Sequence, residues 1–323
     1  MLNSMKAALA LAGVVLAAAP AHAQGAYPNQ PVKVVVPFAA GGLPDTVARI
    51  VGLKLQDRLG QSVVIENRGG GGGGVAAAGI VGTPADGYTL MVTDGSMFTI
   101  NPKLMKSLPY DPEKDFVPVV QLAQAPLFLA VHPKLPVSTM KEFIEYARAN
   151  PGKINYGSSG LGSTHHLSME AVKAALKLDM THIPFKGTGQ SVPALLGGHV
   201  DVLFSAYPSL AGAVQANQVK LLATNGAKRS AQAPDVPALS EFIPGFDFAP
   251  VIGVFAKTGT PKAAIDKIAA EAIVVVNTPE VIAQLAKVGV DPAPAGPEGY
   301  AKGLKEESDR VAATVKAANI QPQ

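Results

Sequence analysis

Three loops rich in small residues lie between a strand pattern and a helix pattern in this sequence. They run from Phe38 to Gly42, from Gly157 to Thr164 and from Phe185 to Gln190. Small residues leave backbone N–H groups open at the N-terminus of the following helix, where a carboxylate or phosphate is favoured. One such loop is also typical of an ordinary strand-to-helix turn. Three in one chain favour an anion-binding cleft between two domains.

The polar side chains beside these loops each have an ordinary alternative role. Asp45 falls in the first turn of a helix, where the helix dipole alone explains a carboxylate. His165 and His166 are adjacent, so on a helix they point about 100° apart and cannot share one metal ion. His166 and Glu170, four residues apart, could form half of a metal site, but a hydrogen bond on the helix surface is commoner. We therefore expect no metal site.

Recognisable catalytic and cofactor motifs are also missing. The segment Gly157-Ser-Ser-Gly-Leu161 departs from the GxSxG nucleophile motif at its last position, and the chain has no cysteine and no HExxH. The run Gly69 to Gly74 matches GxGxxG trivially, and a flexible loop explains it better than nucleotide binding. Because no set of nucleophile, base and orienting residue can be assembled, we expect no enzyme and no cofactor.

The elements that position the loops begin with one strand and one helix. Val32 to Val36 is a β-branched run typical of a buried parallel strand. From Pro44, apolar residues recur every four positions as far as Leu59, which predicts a helix. Gly60 is suited to end that helix.

Strand and helix patterns alternate along the rest of the chain. This alternation predicts α/β layers with largely parallel sheets, and polar or glycine residues follow most strands at the end where ligands gather. Further strands are predicted at Gln61 to Asn67, Tyr88 to Thr93, Pro126 to Val131, Lys153 to Tyr156, Met180 to Phe185, Val200 to Phe204, Val219 to Thr224 and Val251 to Lys257.

The N-terminus has the pattern of a secretory signal peptide. Lys6 precedes an apolar run from Ala7 to Ala19, and the small-x-small site Ala21-His22-Ala23 follows. The run is too short to span a bilayer comfortably, and no later segment has about 18 uninterrupted apolar residues. We therefore expect export, cleavage after Ala23 and a soluble mature chain.

The composition and net charge of the chain limit the classes of binding partner that we expect. Removal of 23 residues from 323 leaves 300, enough for two domains, and without cysteine the fold must depend on hydrophobic burial. The net charge of +3 falls to +2 when Lys6 is removed, and charged residues make up only 16%. No basic stripe is present, which argues against nucleic acid and membrane surfaces as partners.

Several longer motifs follow one another along the mature chain. They are Pro37-Phe-Ala-Ala-Gly-Gly-x-x-Asp-x-x-Ala-Arg49, Glu66-Asn-Arg68, Pro84-Ala-Asp-Gly-Tyr-Thr-Leu90, Leu108-Pro-Tyr-Asp-Pro112, Tyr156-Gly-Ser-Ser-Gly-x-Gly-Ser163, His166-Leu, Leu196-Gly-Gly-x-Val-Asp201, Asp235-Val-Pro and Val315-Lys-Ala-Ala-Asn-Ile320. In this order they closely resemble the Bug-type receptors, the substrate-binding proteins of tripartite tricarboxylate transporters. The match covers essentially the whole mature chain.

The resemblance implies a type II periplasmic binding protein-like fold, α/β in class, with two lobes, a ligand cleft and two hinge crossings. We place lobe 1 at residues 24–123 and 252–323 and lobe 2 at residues 124–251. In the family a ligand carboxylate is typically held by backbone N–H groups, hydroxyls and bridging waters. The candidate ligand-binding residues are Phe38, Ala40, Gly41, Gly42, Asp45, Ser96, Ser158, Ser159, Gly160, Gly162, Ser163, His166, Lys186, Gly187 and Ser205.

The function implied is capture of a small organic carboxylate in the periplasm for delivery to the membrane permease subunits of a tripartite transporter. An alternative from another class is signalling, in which the closed form docks on a membrane sensor kinase. We expect a monomer. The sequence does not name the ligand.

Overall fold

The computed structural model describes residues 27–38, 40–185 and 187–322. The predicted signal peptide and the candidate residue Lys186 lie outside these ranges. The described strands are β1 (Val32–Val36), β2 (Val63–Asn67), β3 (Thr89–Asp94), β4 (Phe116–Gln124), β5 (Leu127–Val131), β6 (Asn155–Ser158), β7 (Thr181–Pro184), β8 (Val202–Ala206), β9 (Lys220–Thr224), β10 (Val251–Lys257) and β11 (Asp291–Ala295). The described α-helices are Leu43–Leu59, Gly74–Val81, Ser96–Thr99, Asn101–Leu104, Met140–Ala149, Thr164–Leu176, Thr188–Leu196, Tyr207–Gln215, Lys262–Val276, Pro279–Lys287 and Pro297–Ala317.

The strands form two sheets, one in each lobe. The first sheet has the order β11-β4-β10-β3-β1-β2 and the second has the order β7-β6-β8-β5-β9. Helices pack on both sheets, so the α/β class and the two-lobe architecture are confirmed.

The prediction of largely parallel sheets was wrong. The pairs of β1 with β2 and β3 and of β6 with β7 and β8 are parallel. Every described pair that includes β4, β5 or β10 is antiparallel. These three strands flank the two points where the chain passes between the sheets, and the chain enters each sheet there against the direction of its neighbours.

The first strand and helix match their sequence pattern. Val34, Val35 and Val36 are buried in β1, and the helix Leu43–Leu59 buries one apolar face on the first sheet. Gly60 ends the helix with a left-handed backbone at φ 65°, which glycine adopts without steric cost.

Two strands of the first sheet were not predicted. β4 contains Pro118, which lies opposite Phe255 where the register shifts, so the missing N–H falls at an irregular point of the ladder. β11 contains Pro292 and Pro294 and lies at the sheet edge, where proline is tolerated. Proline interrupted the strand pattern in both segments.

The lobes share packing as well as chain crossings. Ile100, between two short helices that follow β3, and Leu104, at the end of the second helix, belong to the apolar core beneath the second sheet. The C-terminal helix Pro297–Ala317 places Tyr300 in a core cluster of the first sheet and Val311 in that of the second. The lobe boundaries at 123/124 and 251/252 stay a prediction.

Asn225 links the two crossings. Its Oδ1 accepts a hydrogen bond from the Leu127 N–H, with 2.8 Å between N and O, and its Nδ2 donates to the Phe248 carbonyl at 2.8 Å and to Ser168 Oγ at 3.0 Å. Asn225 is fully buried. One amide therefore holds the start of β5, the chain before β10 and the helix Thr164–Leu176 together.

Among the described residues, no single helix is long and apolar enough to cross a membrane. The helices Lys262–Val276 and Pro279–Lys287 reach that length and composition only as a pair, which is bent by 76°. Both bury residues in the core of the first sheet, including Ile268 and Leu285.

Candidate functional site

The first predicted loop ends at an uncapped helix. Gly42 is the N-cap of the helix Leu43–Leu59, with an extended backbone at φ −68° and ψ 163°, and no side chain in the described part of the chain caps the helix. The first turn of a helix has N–H groups without helical partners. Ala40 and Gly41 are exposed, and a Cβ on Gly41 would meet no described atom within 4 Å. This end of the helix is therefore open.

The buried side chain of Asp45 holds the first loop in place through hydrogen bonds. Its side chain is 2% exposed and accepts hydrogen bonds from the Gly41 N–H (2.8 Å), Arg49 Nε (3.0 Å) and Asn67 Nδ2 (2.9 Å). Asn67 also donates to the Phe38 carbonyl at 3.2 Å. Desolvation would raise the pKa of Asp45, but these donors outweigh it and hold the pKa below its ordinary value. Asp45 is thus an ionised anchor whose acceptors are already occupied.

The second predicted loop is folded on itself by hydroxyl groups. Ser163 caps the helix Thr164–Leu176 by accepting from the His166 N–H at 3.3 Å, and its Oγ donates to the Gly160 carbonyl at 2.7 Å. Ser158 is buried, and its Oγ accepts from the Gly160 N–H at 3.1 Å. Gly160 has φ 129° and Gly162 has φ 76°, conformations that favour glycine.

Three histidine side chains form hydrogen bonds with residues of this second loop. His182 Nε2 lies 2.7 Å from Ser158 Oγ, His165 Nδ1 lies 2.7 Å from Ser159 Oγ, and the Gly162 N–H donates to His166 Nδ1 at 3.1 Å. The rings of His166 and His182 stack with centroids 4.1 Å apart. Desolvation lowers the pKa of His165 and of His182 to about 4 and lowers that of His166, so all three are neutral at pH 7.

The third predicted loop also ends at an uncapped helix. Gly187, with φ 147°, is the N-cap of the helix Thr188–Leu196. Among the described residues, no side chain caps this helix and no atom lies within 4 Å of where a Cβ on Gly187 would be. In the same lobe the Oγ atoms of Ser191 and Ser205 are buried and have no hydrogen-bond partner among the described residues. Thr224 Oγ1 is a third such hydroxyl, so three buried hydroxyls without a partner among the described residues lie in the lobe that carries this loop.

Ser96 belongs to a desolvated acidic cluster. Its N–H donates to Asp94 Oδ1 at 2.9 Å, and its hydroxyl bonds the same oxygen. Desolvation raises the pKa of Asp94, and desolvation together with the charge of Asp94 raises the pKa of Glu307 to about 8. Glu307 lies against Gly95, where a Cβ would be 2.8 Å from its Oε2.

The second loop meets the first lobe. A Cβ on Gly162 would lie 2.5 Å from Leu104 Cδ1, so only glycine permits this approach. A cavity of about 270 Å³ lies at the junction. Its lining combines Ile100, Asn101, Leu104 and Met105 with Leu161, Gly162, Ile320 and Gln321.

Sequence reasoning missed three residues that hold the site. Asn67 ends β2 beside Val36 of β1, and an amide at the carboxyl end of a parallel strand was the available signal. His182 in β7 and Asn225 after β9 act through contacts between distant segments. Sequence spacing gives no signal for either.

The chain matches one family of transport receptors over most of its length. Residues 47–320 match the family model described as "Tripartite tricarboxylate transporter family receptor". The chain is 32% identical over 325 residues to the protein BugT of Bordetella pertussis, which covers 97% of this chain and 98% of that protein.

Two similar solved structures from Rhodopseudomonas palustris are structures with a carboxylate ligand. Rpa4515 with adipate is 32% identical, with a TM-score of 0.76 over 92% of this chain and 100% of that one. MatC with bound malate is 32% identical, with a TM-score of 0.69 over 90% of this chain and 100% of that one. The extent of these matches shows that the chain belongs to the Bug-type receptors of the tripartite tricarboxylate transporter family.

Proposed function

We propose that this protein captures a small organic carboxylate in the periplasm and delivers it to the membrane permease of a tripartite transporter. The observation that carries the proposal is the pair of uncapped helix N-termini after Gly42 and Gly187, one in each lobe, with open space above Gly41 and Gly187. Helix N-termini favour anions because their N–H groups lack partners and the helix dipole is positive there. The relatives solved with adipate and malate support the same ligand class.

The charge pairing beside the first loop is also consistent with a site that binds its ligand through uncharged hydrogen-bond donors. Arg49 is paired with Asp45 at 2.9 Å, so its charge neutralises the anchor of the loop. Recognition by neutral donors leaves no bare buried cation in an empty cleft, so opening the cleft costs less than if an arginine had to be desolvated.

The binding free energy that such a site can supply is large enough to capture a solute. A few charge-assisted hydrogen bonds at roughly 1.5–3 kcal/mol each outweigh an association cost of several kcal/mol and give about micromolar binding. We infer that the site is a binding site and not a catalytic one, because the family is one of receptors.

The first experiment identifies the ligand. The protein is purified from a periplasmic extract, and native mass spectrometry detects any co-purified metabolite. Adipate, malate and a neutral diol of the same length as adipate are then titrated by calorimetry. We expect either a co-purified organic acid or measurable affinity for adipate or malate. Binding of the neutral diol alone would contradict the proposal.

A second experiment tests delivery. Deleting the neighbouring permease genes should abolish uptake of the identified acid while the receptor still binds it. Unchanged uptake, with loss of transcriptional induction when the receptor itself is deleted, would instead favour the signalling alternative.

A further inference from the structure

Two adjacent histidines face the second loop with the same ring nitrogen. The Gly162 N–H donates to His166 Nδ1, with 3.1 Å between the nitrogens. A backbone N–H can only donate, so Nδ1 of His166 must accept and its single proton lies on Nε2. His165 Nδ1 lies 2.7 Å from Ser159 Oγ.

The bond between His165 and Ser159 has two possible directions. If the Ser159 hydroxyl donates to Nδ1, its proton is used and its oxygen can only accept from a ligand. If Nδ1–H of His165 donates to Ser159 Oγ, the hydroxyl proton is free to point elsewhere. The two directions favour different ligand groups. A carboxylate needs a hydrogen-bond donor, whereas an ammonium group needs an acceptor.

We propose that His165 carries its proton on Nδ1, donates it to Ser159 Oγ and so directs the Ser159 hydroxyl proton to a ligand carboxylate. His165 is then a positioning residue that sets the specificity of the loop. This inference rests on the proposed function, which supplies the carboxylate. It requires the adjacent rings of His165 and His166 to be opposite tautomers.

The surroundings of His165 keep its ring neutral, so the ring has a single proton to place on Nδ1 or Nε2. Desolvation lowers the pKa of this imidazole to about 4, so the ring holds one proton at pH 7. Ser159 is partly exposed and precedes Gly160, whose φ of 129° turns the chain sharply after the serine. The hydroxyl is thus held on one side by the ring while the other side is open to solvent.

Nitrogen-15 NMR of histidine side chains tests the tautomer directly. In the ligand-free protein at pH 7, we expect the His165 signals of an Nδ1–H tautomer and the His166 signals of an Nε2–H tautomer. Single substitutions His165→Asn and His166→Gln assign the peaks, and His166 is the internal reference. An unprotonated Nδ1 in His165, both free and with adipate or malate, would overturn the inference.

Binding measurements test the consequence for specificity. His165→Ala should weaken adipate or malate binding by up to about tenfold, because the Ser159 hydroxyl keeps its proton but loses the Nδ1–H that directs it to the carboxylate. His165→Asn keeps an N–H donor near the Nδ1 position and should restore most of the affinity. In a Ser159→Ala background, neither change at position 165 should alter affinity further. An equal loss in His165→Asn and His165→Ala, tracking their melting temperatures, would show a purely structural role.

The two proposals fail in different ways. If the wild-type protein binds neither acid, the proposed function loses its support, while the NMR spectrum still decides the tautomer. If an acid binds and Nδ1 of His165 is unprotonated, the function stands and this inference is wrong.

Discussion

The carboxylate of Asp45 accepts a hydrogen bond from the backbone N–H of Gly41, with 2.8 Å between the two atoms. The loop that ends β1 is therefore fixed by a buried side chain one turn into the following helix. The Gly41 N–H therefore faces inward and is not available to an anion, and Pro44 in the first helical turn has no N–H to offer.

Asp45 should control affinity by shaping this loop. Asp45→Ala leaves the Gly41 N–H and Asn67 without their acceptor, which costs about 1–3 kcal/mol of unfolding free energy. We expect adipate or malate affinity to fall at least tenfold by calorimetry. Asp57→Ala removes an exposed carboxylate from the same helix and should change neither quantity. Wild-type affinity in Asp45→Ala would show that the loop does not depend on this anchor.

Gly42 offers a test of close ligand approach. Its φ of −68° suits any residue, so Gly42→Val adds bulk at the helix end without backbone strain, and we expect binding to be lost while melting stays cooperative. Gly296→Val is the matched control, because Gly296 caps the helix Pro297–Ala317 with φ −67° and its Cβ would meet open space. Equal affinities in the two variants would mean that the first loop is only a turn. Gly160→Val is less informative because φ 129° strains any side chain.

Asn225 should hold the hinge. Asn225→Ala leaves the Leu127 N–H and the Phe248 carbonyl without side-chain partners in a fully buried position, so we expect a loss of at least about 2 kcal/mol of unfolding free energy in urea. Asn277→Ala removes an exposed amide at a helix end and should cost far less. A loss in Asn225→Ala no larger than in the control would contradict the linking role.

Glu307 should make stability fall as the pH rises. The groups around it are Asp94, Arg310, Thr99, Asp247 and Tyr300, and desolvation raises its pKa from 4.5 to about 8. Between these values the folded state binds more protons than the unfolded state, so unfolding free energy decreases with rising pH in that window.

Substitution separates this effect from other titrations. Glu307→Gln keeps the shape of the protonated acid, and for a shift from 4.5 to about 8 at about 1.4 kcal/mol per pKa unit it should stabilise the protein above pH 8 by up to about 5 kcal/mol. Glu306→Gln, at an exposed neighbouring position, should leave the pH profile unchanged. Thermal melts from pH 5 to pH 9 measure both variants. Parallel profiles for the wild type and Glu307→Gln would contradict the assignment.

The parts of the fold that depend on local pattern could be predicted from the sequence. The run at Val32–Val36, the four-residue period up to Leu59 and the stop at Gly60 each act within one element, and the structure has all three. β11 could not be predicted because its prolines are tolerated only at the edge position that the other strands create. The antiparallel pairs were missed because strand direction depends on where the chain changes lobes.

The candidate site shows the same division. Small residues predict loops at helix N-termini, but spacing does not show which N–H groups are already paired. Asp45, Ser96 and Ser158 have acceptors or donors that neighbouring groups occupy, and only contacts between segments reveal this. How each candidate residue contacts a ligand stays a prediction.

Calorimetric titration of the best-binding acid against its methyl ester tests the central claim most directly, namely that uncapped helix ends in the two lobes bind a carboxylate. The ester keeps the carbon skeleton and the carbonyl oxygen, adds one methyl group and loses the charge, so the hydrogen bonds from backbone N–H groups lose their charge assistance. We expect the ester to bind at least about tenfold more weakly, with moderate salt weakening the acid only modestly because the donors are neutral. Equal affinity for acid and ester would contradict the account.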